Sequence, residues 1–248
     1  MTKVYYEYTD DFYLDLDVEL LIRQSVKSFE KYLLKVKDFL NEDYQTFIMH
    51  LENHLRQDKD NNIIRQYETC CRALLKIKNQ KIHADSFHKV RFLPQYFRLK
   101  ALVDITGKEK AIEFTKGYID EFYLGIPARE GVPTSIKELK DLQIKGNIKG
   151  QDMHWISHDL DEHSYMNLVF KCRVHEVLKG YDAELMEVIT CYPDFSMFKS
   201  LNPNFILTRT QTLVGGASYC DTCYHDKRHG NSFDHPPINT FNECLMYK

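Results

Sequence analysis

The hydrophobic period changes once along this chain, near Gly150, and that change limits the fold more than any other feature. Before it, Val18, Leu21, Ile22, Phe29, Leu33, Val36 and Leu40 recur at helical spacing, and Phe47, Ile48, Leu51 and Leu55 continue the pattern. Asn61-Asn62 ahead of Ile63 predicts a break and a new cap, then a third helix through Leu75. Helical patterns resume from Phe87 to Val103, with Pro94 predicting a kink or break, and from Lys108 to Tyr123. Ser135-Ile136-Lys137-Glu138 reads as the capped start of another helix.

After Gly150 the runs MHWISHDL and SYMNLVFKC are short, rich in β-branched and aromatic residues, and separated by Asp161-Glu162, which predicts two neighbouring strands. Val174 to Leu178 and Ala183 to Ile189 predict helices interrupted by Gly180, and strands follow at Phe205 to Val214 and Tyr219 to Tyr224. A helical stretch followed by strands of this kind predicts an α+β fold, with a helical N-terminal half packed with a C-terminal, largely antiparallel sheet carrying helices. The expected organisation is a helical region over 1–150, an α+β region over 151–226 and an irregular tail over 227–248, together one integrated globular domain. Pro236-Pro237 and several Asn residues argue for the tail.

The chain has 248 residues, 43% of them hydrophobic, enough to bury a sizeable core. A formal net charge of −3 gives no general attraction to nucleic acid or to an anionic membrane, and no apolar run approaches the roughly 20 residues that cross a bilayer. The opening MTKVYYEYTDDFYLDLD lacks the basic start and apolar stretch of a secretory signal, so a cytoplasmic protein is expected. Composition leaves the oligomeric state open. Seven cysteines, an odd number over so long a chain, argue for reduced thiols rather than a disulfide framework. Cys70 and Cys71 fall in a helical pattern and read as packing residues; Cys244 sits in the tail. Cys172, Cys191, Cys220 and Cys223 remain.

The last two lie in TRTQTLVGGASYCDTCYHD, residues 208–226. Its first half alternates as a half-buried strand does, and Gly215-Gly216 ends it with a turn or a close approach to a ligand. Three chemistries suit the cysteines. All four can ligate zinc or an iron-sulfur cluster, although only Cys220 and Cys223 form a close pair. Cys220-Asp221-Thr222-Cys223 has thiol-disulfide spacing but stands within or beside a strand, not at a helix start. A single thiol can instead be a nucleophile. Positions 220 and 223 have opposite parity, so strand alternation sends their side chains to opposite faces of the sheet. His154, His158, His163 and His175 match no standard zinc spacing and read as surface residues.

Taken in order, Phe170-Lys171-Cys172-Arg173, Cys191-Tyr192-Pro193-Asp194, Arg209-Thr210-Gln211-Thr212-Leu213 with Gly215-Gly216, and Cys220-Asp221 resemble the L-2-amino-thiazoline-4-carboxylic acid hydrolase family. The match in order and spacing covers roughly residues 155 to 224. Thr222 stands where the family usually has an aromatic residue, and Cys223 adds a C-x-x-C.

The resemblance implies hydrolysis of a five-membered cyclic isothiourea carboxylate to an N-carbamoyl amino acid. Such a site needs a nucleophile or activated water, a proton donor for the ring or leaving sulfur, and a cation for the carboxylate. Cys220, Cys191 and Cys172 are the candidate nucleophiles. Asp221 and Asp194 are candidate acid/base groups, with a helix cap as the alternative role for Asp194. Arg209, with Gln211, Gly215 and Gly216 around it, is the candidate substrate grip, its planar fork suited to a carboxylate. No cofactor is implied; zinc on Cys172, Cys191, Cys220 and Cys223 is the alternative, and a non-catalytic small-molecule binding module is another.

Overall fold

The first strand of the protein, β1 (Thr2–Tyr8), is hydrogen-bonded to a strand that begins only at Asp152, with Tyr8 opposite Asp152 and Thr2 opposite His158. A computed structural model describes residues 2–16, 18–57, 80–125, 132–230 and 233–246. It groups into two compact units, Met1–Asp10 with Ile119–Lys248, and Asp11–Tyr118.

In the second unit, β2 (Tyr13–Leu16) pairs antiparallel with β3 (Gln80–His83). Helix α1 (Val18–Leu40) presents Val36 and Leu40 to the core, and α2 (Tyr44–Gln57) presents Phe47 and Leu51, as their spacing predicts, while Tyr32 is buried one turn earlier where the spacing names Leu33, which is half-buried. Helix α3 (Ala84–Thr106) runs unbroken through Pro94, where the sequence predicts a kink or break. Leu93, Tyr96, Phe97, Leu99, Ala101 and Leu102 are all buried around it, and that burial outweighs the roughly 3 kcal/mol an interior proline costs. Gly107, at φ +80°, closes α3, and α4 (Lys108–Leu124) follows. The third helix expected through Leu75, with Cys70 and Cys71, lies outside the described residues.

The other unit is a five-stranded antiparallel sheet in the order β1-β4-β5-β7-β6, made with β4 (Asp152–Asp159), β5 (Ser164–Cys172), β6 (Phe205–Arg209) and β7 (Cys220–Asp226). The α+β class with a largely antiparallel sheet is what the change of period predicts. One face carries Tyr165, Phe205, Leu207 and Tyr224 against Ile136 and Leu139 of α5 (Ile136–Gly150) and Phe198 of α8 (Pro193–Leu201). Ser135 caps α5 by accepting from the Glu138 amide, as expected. The other face carries Ile156, Met166, Leu168 and Cys223 against Phe241 and Cys244 of α9 (Ile238–Leu245).

The β2–β3 pair stands in the region expected to be helical, and three further details differ from the sequence reading. Strand β6 stops at Arg209 instead of Val214, because the amides of Thr210 and Gln211 turn to the Asp221 carboxylate, 2.9 Å from each. The stretch read as an irregular tail contains α9, anchored by two fully packed side chains, so Cys244 is a core residue. Strand β1 was no part of the expected sheet. No helix among the described residues is long and apolar enough to cross a membrane.

Candidate active site

Strand alternation divides the Cys220-Asp221 pair between the two faces of the sheet. Cys220, Thr222 and Tyr224 stand opposite Val169, Asn167 and Tyr165, on the face covered by α5 and α8; Asp221 and Cys223 stand opposite Leu168 and Met166, on the α9 face. Cys223 is wholly buried there beside Phe241 and Cys244. It is therefore separated from the other three candidate cysteines.

Those three come together around Cys220. Cys172 ends β5 and opens α6 (Arg173–Val177); Cys191 closes α7 (Ala183–Thr190), whose start Asp182 caps. Each is close enough to Cys220 for their charges to interact. Burial pushes the Cys172 and Cys191 thiols up to about 12, and that of Cys220 upward too, against the Leu213 amide (N···Sγ 3.2 Å) and the Arg209 charge. All three are thiols, not thiolates, near neutral pH.

Arg209, at the end of β6, is 9% exposed. Its Nε donates to Thr222 Oγ1 (2.9 Å), one terminal nitrogen to the Cys191 carbonyl (3.0 Å) and the other to Asp194 Oδ2 (2.6 Å), with the guanidinium over the Phe195 ring. Three of its five N–H groups thus bind the protein, and they fasten the Cys191–Asp194 turn to the sheet. Asp194 lies in the first turn of α8, after Pro193, and makes no side-chain cap. The same turn is held from α4, where Asp120 accepts from Tyr192 (2.9 Å) and from Ser196.

Asp221 is buried and holds the chain leaving β6. Burial pushes its carboxyl up, but His235, the Thr210 hydroxyl and the Gln211 and Thr210 amides together hold it below the usual carboxylate range. His235 bridges this network, with Nε2 3.1 Å from Asp221 and Nδ1 3.1 Å from Thr208 Oγ1. Gln211 contributes its amide to Asp221, and Gly215 and Gly216 form an exposed turn. The Gly215 amide donates to Thr212 Oγ1 (2.8 Å), and Gly216 takes φ +93°, where glycine alone is unstrained.

A cleft lies beside the thiols, lined by Val174, His175, Lys179, Tyr181, Thr190 and Val214 among others. None of the cysteines is a lining residue, but the wall meets Cys172 and Cys191 directly and Cys220 through one intervening residue. The His175 amide donates to Cys172, Thr190 Oγ1 is 3.4 Å from Cys191 Sγ, and Val214 follows Leu213, whose amide meets Cys220. His175, read as a surface residue, is in this wall. Lys179 carries no sequence signal, because only the fold brings it to the cleft wall, whereas Thr190 is the chain neighbour of Cys191.

Among the described residues, the group of three or more His, Cys, Asp or Glu with ligand atoms within 4.8 Å of one another is His50, His54 and Asp104, and includes none of the cysteines. The model of the L-2-amino-thiazoline-4-carboxylic acid hydrolase family matches residues 87–224, more than half of the 248. The chain belongs to this family. The match takes in Cys172, Cys191, Asp194, Arg209, Cys220 and the cleft wall, and its name identifies the family as hydrolases. It stops short of His235, which Asp221 engages from beyond the matched region. No curated protein and no solved structure matches the chain.

Proposed function

We propose that the protein is a hydrolase that opens a small cyclic isothiourea carboxylate, L-2-amino-thiazoline-4-carboxylic acid or a close analogue, to an N-carbamoyl amino acid. The observation that carries this reading is a cleft that carries Lys179 and whose wall meets Cys172 and Cys191 directly and Cys220 through Leu213, the neighbour of Val214. Lys179 supplies the cation for the substrate carboxylate, a role that suits it better than Arg209, whose fork faces Asp194 and the Cys191 carbonyl.

Cys220 Sγ adds to the ring carbon flanked by sulfur and two nitrogens. The raised pKa of the thiol fits a step in which its proton passes to the ring nitrogen of a basic substrate as the bond forms. The ring carbon–sulfur bond then breaks, and a proton from the exocyclic nitrogen goes to the departing sulfur. Water adds to the remaining Sγ-bound carbon, the carbon–Sγ bond breaks, and the thiol of Cys220 is restored. The water oxygen becomes the carbonyl of the product. One water is consumed, nothing is oxidised or reduced, and the sequence of steps uses no cofactor. Cys172 and Cys191, kept as thiols by burial, furnish weak donors near the departing sulfur.

Turnover of the thiazoline carboxylate and related cyclic amidines, followed by release of the product thiol, tests the reading. Wild-type turnover with loss of activity in a folded Cys220→Ser variant supports it, since a hydroxyl is a far poorer nucleophile. Full activity of Cys220→Ser removes the nucleophile assignment, and absence of turnover across the panel removes the proposed substrate class.

A further inference from the structure

The His50, His54 and Asp104 cluster stands in the unit Asp11–Tyr118, in other elements than the thiol cleft. His50 and His54 are one helical turn apart in α2, on the same side as the buried Phe47 and Leu51 that anchor this helix. Asp104 projects from the last turn of α3. A single oxygen, Asp104 Oδ2, is 2.5 Å from His54 Nε2 and 3.2 Å from His50 Nδ1, so three lone-pair atoms from two helices face one point. The side chains are 34%, 18% and 29% exposed, which leaves the point open to solvent from one side.

We propose that these three residues bind a divalent first-row transition metal ion, with zinc the natural occupant. Two imidazoles and a carboxylate form a borderline donor set, which favours zinc, cobalt, nickel or copper over the all-oxygen preference of calcium and magnesium. Ligand atoms around a tetrahedral zinc lie about 3.3 Å apart, given bonds of roughly 2.0–2.1 Å. The His50–Asp104 separation already meets this, and the His54–Asp104 contact must open by less than about 1 Å, a small rotation for a side chain on the surface. Both helices end nearby: Asp104 precedes the end of α3 by two residues and His54 that of α2 by three. The negative ends of both helix dipoles favour a cation. Water completes the coordination. His50 and His54 lie outside the residues matched by the hydrolase family, so the proposal does not rest on the proposed reaction.

Cobalt(II) titration of the intact, metal-free protein tests it. The expected result is one equivalent bound with visible ligand-field bands and without the near-ultraviolet charge-transfer band of a thiolate ligand. His54→Gln and Asp104→Asn should each weaken binding by on the order of 10- to 100-fold or more, since even indirect partners of metal ligands cost that much. Cys172→Ser and Cys220→Ser should bind as the wild type does. His50→Gln provides a third variant should either of the first two fail to fold, judged by circular dichroism without metal. A thiolate band, unchanged affinity in the folded histidine and aspartate variants, or no binding by the wild type overturns the proposal; the last outcome makes the cluster a hydrogen-bonded clamp between two helices.

Discussion

Arg209 is where a residue's type and its surroundings pull the interpretation apart. Its fork suits a substrate carboxylate, yet the structure points it at Asp194 and the Cys191 carbonyl. Arg209→Lys keeps the charge and loses the second and third hydrogen bonds, so it should cost about 2 kcal/mol of stability as well as activity. A variant that melts with the wild type but has lost substrate affinity would restore Arg209 as the substrate's anchor. Lys179 on the cleft wall should behave differently: Lys179→Ala is expected to raise KM several-fold with kcat and melting temperature almost unchanged. An unchanged KM moves the carboxylate elsewhere. For Cys223, sealed between Phe241 and Cys244, Cys223→Ser should leave kcat intact and cost about 1–2 kcal/mol for a hydroxyl buried in an apolar cluster.

At the scale of elements, α9 does more than cover the sheet. Phe241 packs into the core on the face where His235, three residues before the helix, meets Asp221. Phe241→Ala should cost about 3–5 kcal/mol in urea unfolding, whereas an irregular tail would cost almost nothing. This helix was hidden in the sequence because Pro236-Pro237 and its asparagines suggest a loop, and a helix of this length lives on tertiary contacts, not propensity. Strands β4 and β5 were legible because each is a short run rich in β-branched and aromatic residues, set apart by Asp161-Glu162, and α7 because Asp182 caps an apolar run. Strand β1 was not: it has no local partner, and no turn announces its pairing with β4. For the site, the family pattern marked the three thiols that converge, but not the division of Cys220 from Asp221 between two faces, nor Lys179, which stands between α6 and α7 and enters only as part of the cleft wall.

For the whole molecule, burial shapes the response to pH from both sides. Burial pushes the imidazoles of His158 and His225 below their ordinary value near 6.5. The stability this represents is present above about 6.5 and falls away as pH drops through their folded values. Asp226, held low by Arg228, and Asp161 and Asp221, held low by hydrogen bonds in spite of burial, add a second loss as pH falls below the ordinary carboxylate value of about 4. The thiols work in the opposite sense. Cys172 and Cys191 stay protonated in the folded state up to about 12 but ionise near 8.5 when unfolded, so their contribution is lost as pH rises beyond about 8.5. Melting temperature should therefore peak between roughly 6.5 and 8.5, fall in two stages on the acid side, and fall on the alkaline side by less in Cys172→Ala than in wild type. A flat alkaline limb in the wild type would remove the thiols from this account.

The pairing of β1 with β4 also fixes a schedule. Thr2 and His158 are 156 residues apart along the chain, so on a ribosome adding about 5–20 residues per second β1 is made on the order of 10 s before its partner. Until then β1 lacks the strand its backbone N–H and C=O groups pair with, and Tyr5 lacks the Trp155 ring it stacks on. A strand that waits for its partner is an open edge, and open edges are where chains pair wrongly. The sheet that carries Cys172 and Cys220 reaches its full width only after β4 has emerged, whichever of its other strands pair first.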